Sequence, residues 1–233
     1  MLLTSKRLKI LLLVIMSGLL SACLSSAQNP VSSKWQPLFD GRTLNGWQAM
    51  EGKSLKNVWA AQDGTLALVT DQRSAGDIMT EQKYTDFELY LEWKLDKGGN
   101  SGILYRVADD RDLAWKTGME YQLLDDANYP RAADKPHWLA GSVFDLYAPN
   151  TAVVKAAGEY NSTRIVVLGN RVEHWLNGHR IVAYNLDSAD WRQRLERSKF
   201  NKLPGFGRQP EGHIVLQNHG DPVWYRNIRI REL

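Results

Sequence analysis

The chain predicts an all-β fold, a two-sheet sandwich or jelly roll carrying one short helix. Three observations lead there. Phe87-Glu88-Leu89-Tyr90-Leu91-Glu92-Trp93-Lys94-Leu95 alternates with period two, which puts Phe87, Leu89, Leu91, Trp93 and Leu95 on one buried face of an antiparallel strand. Turn dipeptides recur between such runs, at Asp63-Gly64, Gly169-Asn170 and Asn177-Gly178. Only 190–199 has a helical pattern, with Trp191, Arg194 and Leu195 on one side. Many short strands and one helix must bury their apolar faces sheet against sheet.

Each element follows from its local residues. Strands at 58–61 and 65–69 flank Asp63-Gly64 as a hairpin, and 87–95 is the alternating strand just described. A strand at 100–106 opens after the Gly98-Gly99 turn, and 118–126 reads as its successor. Residues 125–135 are polar and turn-rich, a long loop at a sheet edge, and long loops in compact domains are more often functional than decorative. Strands 164–168, 171–176 and 179–184 form a three-stranded meander through two tight turns; 213–217 and 223–231 close the fold. Of the nine tryptophans, Trp59, Trp93 and Trp224 read as core. Trp175 shares parity with Arg171 and Glu173, while Trp47, Trp115 and Trp138 sit in loop context, where packing competes with stacking on sugar faces.

The N-terminus reads as an address. Lys6, Arg7 and Lys9 precede a short apolar run at 10–20, too short to span a bilayer comfortably. Leu20-Ser21-Ala22-Cys23 resembles a bacterial lipobox, which implies a signal peptide at 1–22, a lipidated Cys23 and a tether at 23–34. The expected location is the bacterial cell envelope, periplasmic or outer-membrane, with the membrane as a partner through the lipid. The competing reading is a secretory signal cut near Ala22 or Ala27 with Cys23 idle. Removing residues 1–22 turns 29 basic against 26 acidic residues into 26 against 26, so no basic footprint for nucleic acid remains. One cysteine permits no disulfide framework, and 35–233 is one domain large enough to bury a full core.

Polar residues on strand faces mark the candidate site. Glu120 and Gln122 share one face of their strand, while Met119, Tyr121 and Leu123 share the other. A carboxylate and an amide side by side on a concave sheet can grip a sugar and move a proton; a solvated edge-strand face is the bland alternative. Asp125 has the wrong parity to join them unless a β-bulge intervenes. Arg106 shares parity with Leu104, and on an inner face it must meet a carboxylate such as Glu120 or face a polar cleft. Gln217 and His219 fall together at one strand's end, and His219 suits proton transfer or metal binding. His174 has the parity of Val172 and Leu176 and by itself reads as a satisfied, half-buried histidine. No HExxH, Cys/His array, P-loop or GxSxG occurs.

Six ordered blocks resemble a known family. They are Phe39-Asp40-Gly41-Arg42-Thr43-Leu44-Asn45-Gly46-Trp47, Asp86-Phe87-Glu88-Leu89, Asn100-Ser101-Gly102-Ile103, Glu120-x-Gln122-x-x-Asp125, Glu173-His174-Trp175-Leu176-Asn177-Gly178 and the closing run from Gln217 to Ile230. Together they resemble the 3-keto-disaccharide hydrolase domain family over about residues 36–233. The resemblance implies a concanavalin-like jelly roll and a hydrolase whose substrate is a glycoside already oxidised to a ketone at C3. The ketone makes the C2 hydrogen acidic and the glycosidic oxygen on C1 a leaving group, so a positioned base could drive elimination and water could complete hydrolysis. On this resemblance Glu120 is the general acid/base and His219 a second proton carrier or metal ligand. Asn100, Arg106, Gln122, Asp125, Gln217 and His174 contact substrate. An upstream glycoside 3-oxidoreductase would supply the ketone; no cofactor is clearly implied, with room left for a divalent cation.

Two rivals stand beside it. Conventional β-glucanases of this fold carry Glu-x-Asp-x-x-Glu on the corresponding strand, and a retaining mechanism needs carboxyls about 5–5.5 Å apart. Without a bulge Glu120 and Asp125 lie on opposite faces, about 16 Å of strand apart. The other rival is a non-catalytic carbohydrate-binding module, against which the inward polar residues weigh.

Overall fold

The computed structural model describes residues 34–109, 113–130 and 134–233; the expected signal peptide, Cys23 and all but the last residue of the expected tether lie outside these. Alternation in β6 (Phe87–Leu95) decides the architecture: its five odd-numbered apolar side chains are buried while Tyr90, Glu92 and Lys94 face outward. Such a strand needs a second layer over its apolar face. The larger sheet supplies one layer with β1 (Gln36–Pro37), β3 (Trp59–Gln62), β4 (Thr65–Leu68), β6, β9 (Asn161–Leu168), β10 (Arg171–Leu176), β11 (His179–Asn185) and β13 (Val223–Glu232). They run in the order β11-β10-β9-β6-β13-β4-β3, with β1 pairing β13. The other layer is β2 (Trp47–Ala49), β5 (Ile78–Thr80), β7 (Asn100–Val107), β8 (Met119–Leu124) and β12 (His213–Leu216), ordered β2-β5-β12-β7-β8. Every pairing is antiparallel, so the predicted two-sheet sandwich is the observed fold.

The one α-helix among the described residues, α1 (Ala189–Arg197), starts where the Ser188 side chain accepts from the Trp191 N–H, and buries Trp191. Short 3₁₀ turns at Arg73–Ala75, Ala114–Lys116 and Lys199–Lys202 were not read from the sequence, and each carries a side chain to the site. Trp59 and Trp93 are core as expected, but Trp224 is not: it lies on the outer face of β13, half-buried beneath the Lys94 ammonium.

Polar groups between the sheets are joined in chains. His174 is fully buried; its Nδ1–H donates to the Gly141 carbonyl at 2.9 Å, so Nε2 must accept from the Tyr105 hydroxyl at 2.8 Å. The Tyr105 oxygen lies 2.7 Å from that of Tyr184. Burial pushes the His174 pKa down to about 4, so the ring is neutral. It ties the two sheets together and does not touch the cleft, which corrects its expected contact with substrate.

Arg106 also differs from its expected place. Two residues of β7, Tyr105 and Arg106, oppose the single Ile214 of β12 between the pairs Val107–His213 and Leu104–Val215, and Arg106 takes φ 53°. This bulge breaks the alternation that would have aimed Arg106 with Leu104. The guanidinium instead donates to the Thr85 and Gly169 carbonyls at 3.2 and 2.8 Å and pairs with Asp86 at 3.5 Å. Gly212 packs against the bulge, where a Cβ would fall 2.5 Å from the Arg106 carbonyl carbon.

Candidate active site

The outer face of the smaller sheet is divided in two. One part is apolar, a cluster of Met50, Met79, Leu104, Val107, Ala114 and Val215 with Trp115 packed against it. Next to it lies a cleft of about 190 Å³ lined by Arg73, Asn100, Trp115, Glu120, Gln122, Phe144, Lys199, Gln217 and His219. That volume suits a single sugar ring with the rest of a glycoside in the open mouth. Strand parity builds the floor: Glu120 and Gln122 face the cleft while Met119, Tyr121 and Leu123 enter the core. In register, Gly102 opposes Gln122 and Leu104 opposes Glu120.

Gly102 makes space for Glu120. A Cβ there would lie 2.5 Å from Glu120 Oε1 and 3.0 Å from its Cγ. Gln217 is held alongside, its N–H donating to the Gly102 carbonyl at 2.9 Å and its own carbonyl accepting from Ser101 Oγ at 2.8 Å. Opposite, the segment after β8 folds back onto that strand, so the Phe144 N–H meets the Glu120 carbonyl at 3.0 Å. Phe144 then forms one wall, stacked on Trp138 with ring centroids 5.4 Å apart.

Glu120 is the one carboxylate among the described residues that line the cleft, and 7% of it is exposed. Desolvation raises its pKa to about 7, helped by the charge of Asp77 and opposed by Lys199 and a hydrogen bond from Gln217. It is therefore near half-ionised at neutral pH, a state suited to taking up and giving back a proton. Lys199 faces it from the 3₁₀ turn that follows α1, with Nζ 4.3 Å from the Phe144 ring centroid and 5.0 Å from that of Phe200. Burial lowers the Lys199 pKa, while Glu120 and Asp145 hold its charge.

On the far side, Arg73 Nη2 lies 2.6 Å from His219 Nε2, and Asn100 Nδ2 approaches the same nitrogen at 3.3 Å. An arginine only donates, so Nε2 carries a lone pair and the ring proton is on Nδ1, which faces Asp221 Oδ2 at 3.6 Å. Burial and the Arg73 charge lower the His219 pKa. The ring is in the cleft as expected, and in this arrangement its lone pair accepts from Arg73.

Of the residues foreseen, Asn100, Glu120, Gln122, Gln217 and His219 come together. Asp125 does not: no bulge interrupts β8, and its carboxylate accepts from the Gly98 N–H and Asn128 Nδ2, both at 2.8 Å. It closes the loop ends beside the sheet, and Glu120 shares the cleft lining with no other carboxylate among the described residues. Arg73, Phe144 and Lys199 were missed, and Trp115 was seen only as one of three loop tryptophans; Trp47 of that group is buried, donating to the Leu38 carbonyl at 2.6 Å. No group of three or more His, Cys, Asp or Glu side chains able to hold a metal ion occurs among the described residues. In the cleft one carboxylate, an engaged imidazole and the fixed charge of Lys199 make a poor divalent-cation site.

The chain was then set against known proteins. A family model described as a 3-keto-alpha-glucoside-1,2-lyase-like domain matches residues 34–231. A 3-keto-disaccharide hydrolase of Bacteroides thetaiotaomicron is 32% identical over 245 residues, covering 93% of this chain and 84% of the relative. A crystal structure of a provisionally assigned glycosyl hydrolase from Parabacteroides distasonis superposes with TM-score 0.77 at 32% identity, over 85% of this chain and 94% of that one. A Bacillus subtilis protein with a galectin-like fold, 12% identical and covering 88% of this chain and 97% of its own, matches at TM-score 0.57 and shares the fold alone.

Proposed function

Because the chain belongs to the 3-keto-alpha-glucoside-1,2-lyase-like domain family, we propose that this glycoside-acting hydrolase cleaves sugars already oxidised to a ketone at C3. The reaction runs by elimination across C1–C2 and then hydration. The observation that carries this reading is a single buried carboxylate, Glu120, with its pKa raised to about 7 and a lysine ammonium facing it. Direct displacement at an anomeric carbon calls for two carboxyl groups. Proton removal beside a ketone calls for one base of moderate pKa and a cation for the enolate.

In the proposed sequence, Glu120 takes the C2 proton and the electron pair of that C–H bond forms a C2–C3 double bond. Negative charge moves to the former ketone oxygen, where Lys199 and Arg73 are the cations of the cleft. The enolate then re-forms its carbonyl, a C1–C2 double bond appears and the C1–oxygen bond breaks. Protonated Glu120 supplies the proton that the leaving oxygen needs. Water adds to C1 and a proton returns to C2, so the net change is hydrolysis. Phe144 and Trp115 exclude bulk water, and Asn100, Gln122 and Gln217 orient the ring from the floor. The ketone itself must come from an earlier dehydrogenation of the intact glycoside, and anchoring through Cys23 would hold both steps in the cell envelope.

The test is Glu120→Gln assayed on a 3-keto disaccharide. Loss of about 10²–10⁴ in kcat is expected. In deuterated water the wild-type protein should place deuterium at C2 of the released sugar at early times. Unchanged turnover, or cleavage without exchange at C2, would sink the mechanism.

A further inference from the structure

The hydrogen bonds on the Arg73 side of the cleft form a chain with one direction. Arg73 can only donate, so His219 Nε2 must accept. Asn100 therefore has to turn its amide nitrogen toward His219, where Nδ2 also meets the Tyr129 hydroxyl at 3.2 Å. That orientation leaves Asn100 Oδ1 on the other side, so Gln122 must donate to it, and Nε2 does so at 2.9 Å. Gln122 is left with its carbonyl oxygen, Oε1, as the free end. This atom is buried and has no donor within hydrogen-bonding distance among the described residues, although the side chain is 98% covered. Gln217 Oε1 is in the same condition, its residue also lining the cleft.

A buried acceptor without a donor is costly, and a bound ligand that supplies the donor recovers that cost. A ketone oxygen and an ether oxygen cannot do so; a hydroxyl can. We propose that Gln122 is a specificity-determining residue that accepts a hydrogen bond from a ring hydroxyl of the sugar. Arg73, His219 and Asn100 are the positioning residues that lock its amide in the accepting orientation. The cleft is thus polarised, with acceptors on the floor for hydroxyls and the donors Arg73 and Lys199 left for the carbonyl. This inference rests on the 3-keto reading and adds to it which side of the sugar faces which wall.

Binding is measured with the 1,5-anhydro analogue of the 3-keto sugar, which has no leaving group, and with its monodeoxy and monofluoro derivatives. Fluorine cannot donate, so at one ring position both replacements should weaken binding by about tenfold to a hundredfold. Gln122→Met should abolish that penalty. In Arg73→Met and in His219→Leu the amide chain is free to turn over, and the fluoro penalty should relax toward unity even though overall affinity changes. His219→Gln, a neutral acceptor at the same place, should keep the penalty; a merely structural role for His219 predicts no such rescue. A penalty that survives in Arg73→Met and His219→Leu, or that appears at no position, overturns the proposal while leaving turnover of 3-keto glycosides intact. Absence of both binding and turnover of the oxidised sugar overturns the reaction class and this inference together.

Discussion

Replacing Glu120 by Gln should make the protein more stable at the pH where it makes the enzyme inactive. Desolvation lifts the carboxyl from 4.5 to about 7 in the folded protein, whereas in the unfolded chain it titrates at its ordinary value. Between those two pH values the folded state holds a proton that the unfolded state has released, so stability falls as pH rises through the window. The group's contribution is intact below pH 4.5 and lost above pH 7. A shift of that size corresponds to about 3 kcal/mol at 1.36 kcal/mol per unit. The 7% exposure of the side chain leaves little solvent to screen it. Gln keeps the shape and a hydrogen-bonding amide but never ionises. Urea unfolding of both proteins at pH 5 and pH 8 isolates the effect, because every other titrating group is common to the two and cancels in the difference. The variant should gain on the wild type by about 2–3 kcal/mol between the two pH values. A difference that does not change with pH would refute the assignment of Glu120 as a carboxyl with a strongly raised pKa.

Lys199→Met should lower kcat by about 10²–10³ through loss of enolate stabilisation. It should also move the acid limb of the kcat/KM profile to higher pH, because Lys199 holds the Glu120 pKa down; an unmoved limb would count against the pairing. Gly102→Ala should cost about 10²-fold in kcat by displacing the carboxylate, with stability, followed by melting, changed by no more than about 1 kcal/mol. The new Cβ would stand 2.5 Å from Glu120 Oε1. Arg106→Met should leave kcat per folded molecule unchanged but destabilise by about 3 kcal/mol, roughly 6–12 °C in melting temperature, since the Thr85 and Gly169 carbonyls lose their donor. The proposed lipid anchor predicts that Cys23→Ser abolishes incorporation of radiolabelled fatty acid into the protein; labelling that persists in the variant would refute it.

The fold was legible because the sandwich is built from short-range signals. β6 alternates over nine residues, and Asp63-Gly64, Gly169-Asn170 and Asn177-Gly178 sit where turns need residues with positive φ. The floor of the site was legible for the same reason, since parity alone puts Glu120 and Gln122 together. Parity failed where the backbone left its period: the bulge at Arg106 turned that side chain away, and no bulge arrived to bring Asp125 in. The rim could not be read at all. Arg73 lies in a polar stretch between strands and Lys199 closes a helical pattern, where a lysine is ordinary. Their relation to Glu120 arises only from long-range packing, 47 and 79 residues away in sequence.

The proposed elimination fits the charges of the cleft better than displacement does. A glycosidase that attacks the anomeric carbon develops positive charge on the sugar and surrounds it with carboxylates. An ammonium at that place would oppose the transition state. Here Lys199 and Arg73 line a cleft whose one carboxylate among the described residues has its pKa raised to about 7, an arrangement that suits negative charge on the substrate. With an unoxidised glycoside no step creates that charge, and the cations have nothing to stabilise. With a C3 ketone the charge appears on removal of the C2 proton, one bond from the base. On the proposed mechanism, selectivity for the oxidised sugar would not need tight binding of the ketone in the ground state: two cations that lower the barrier for elimination would offer nothing to an unoxidised glycoside.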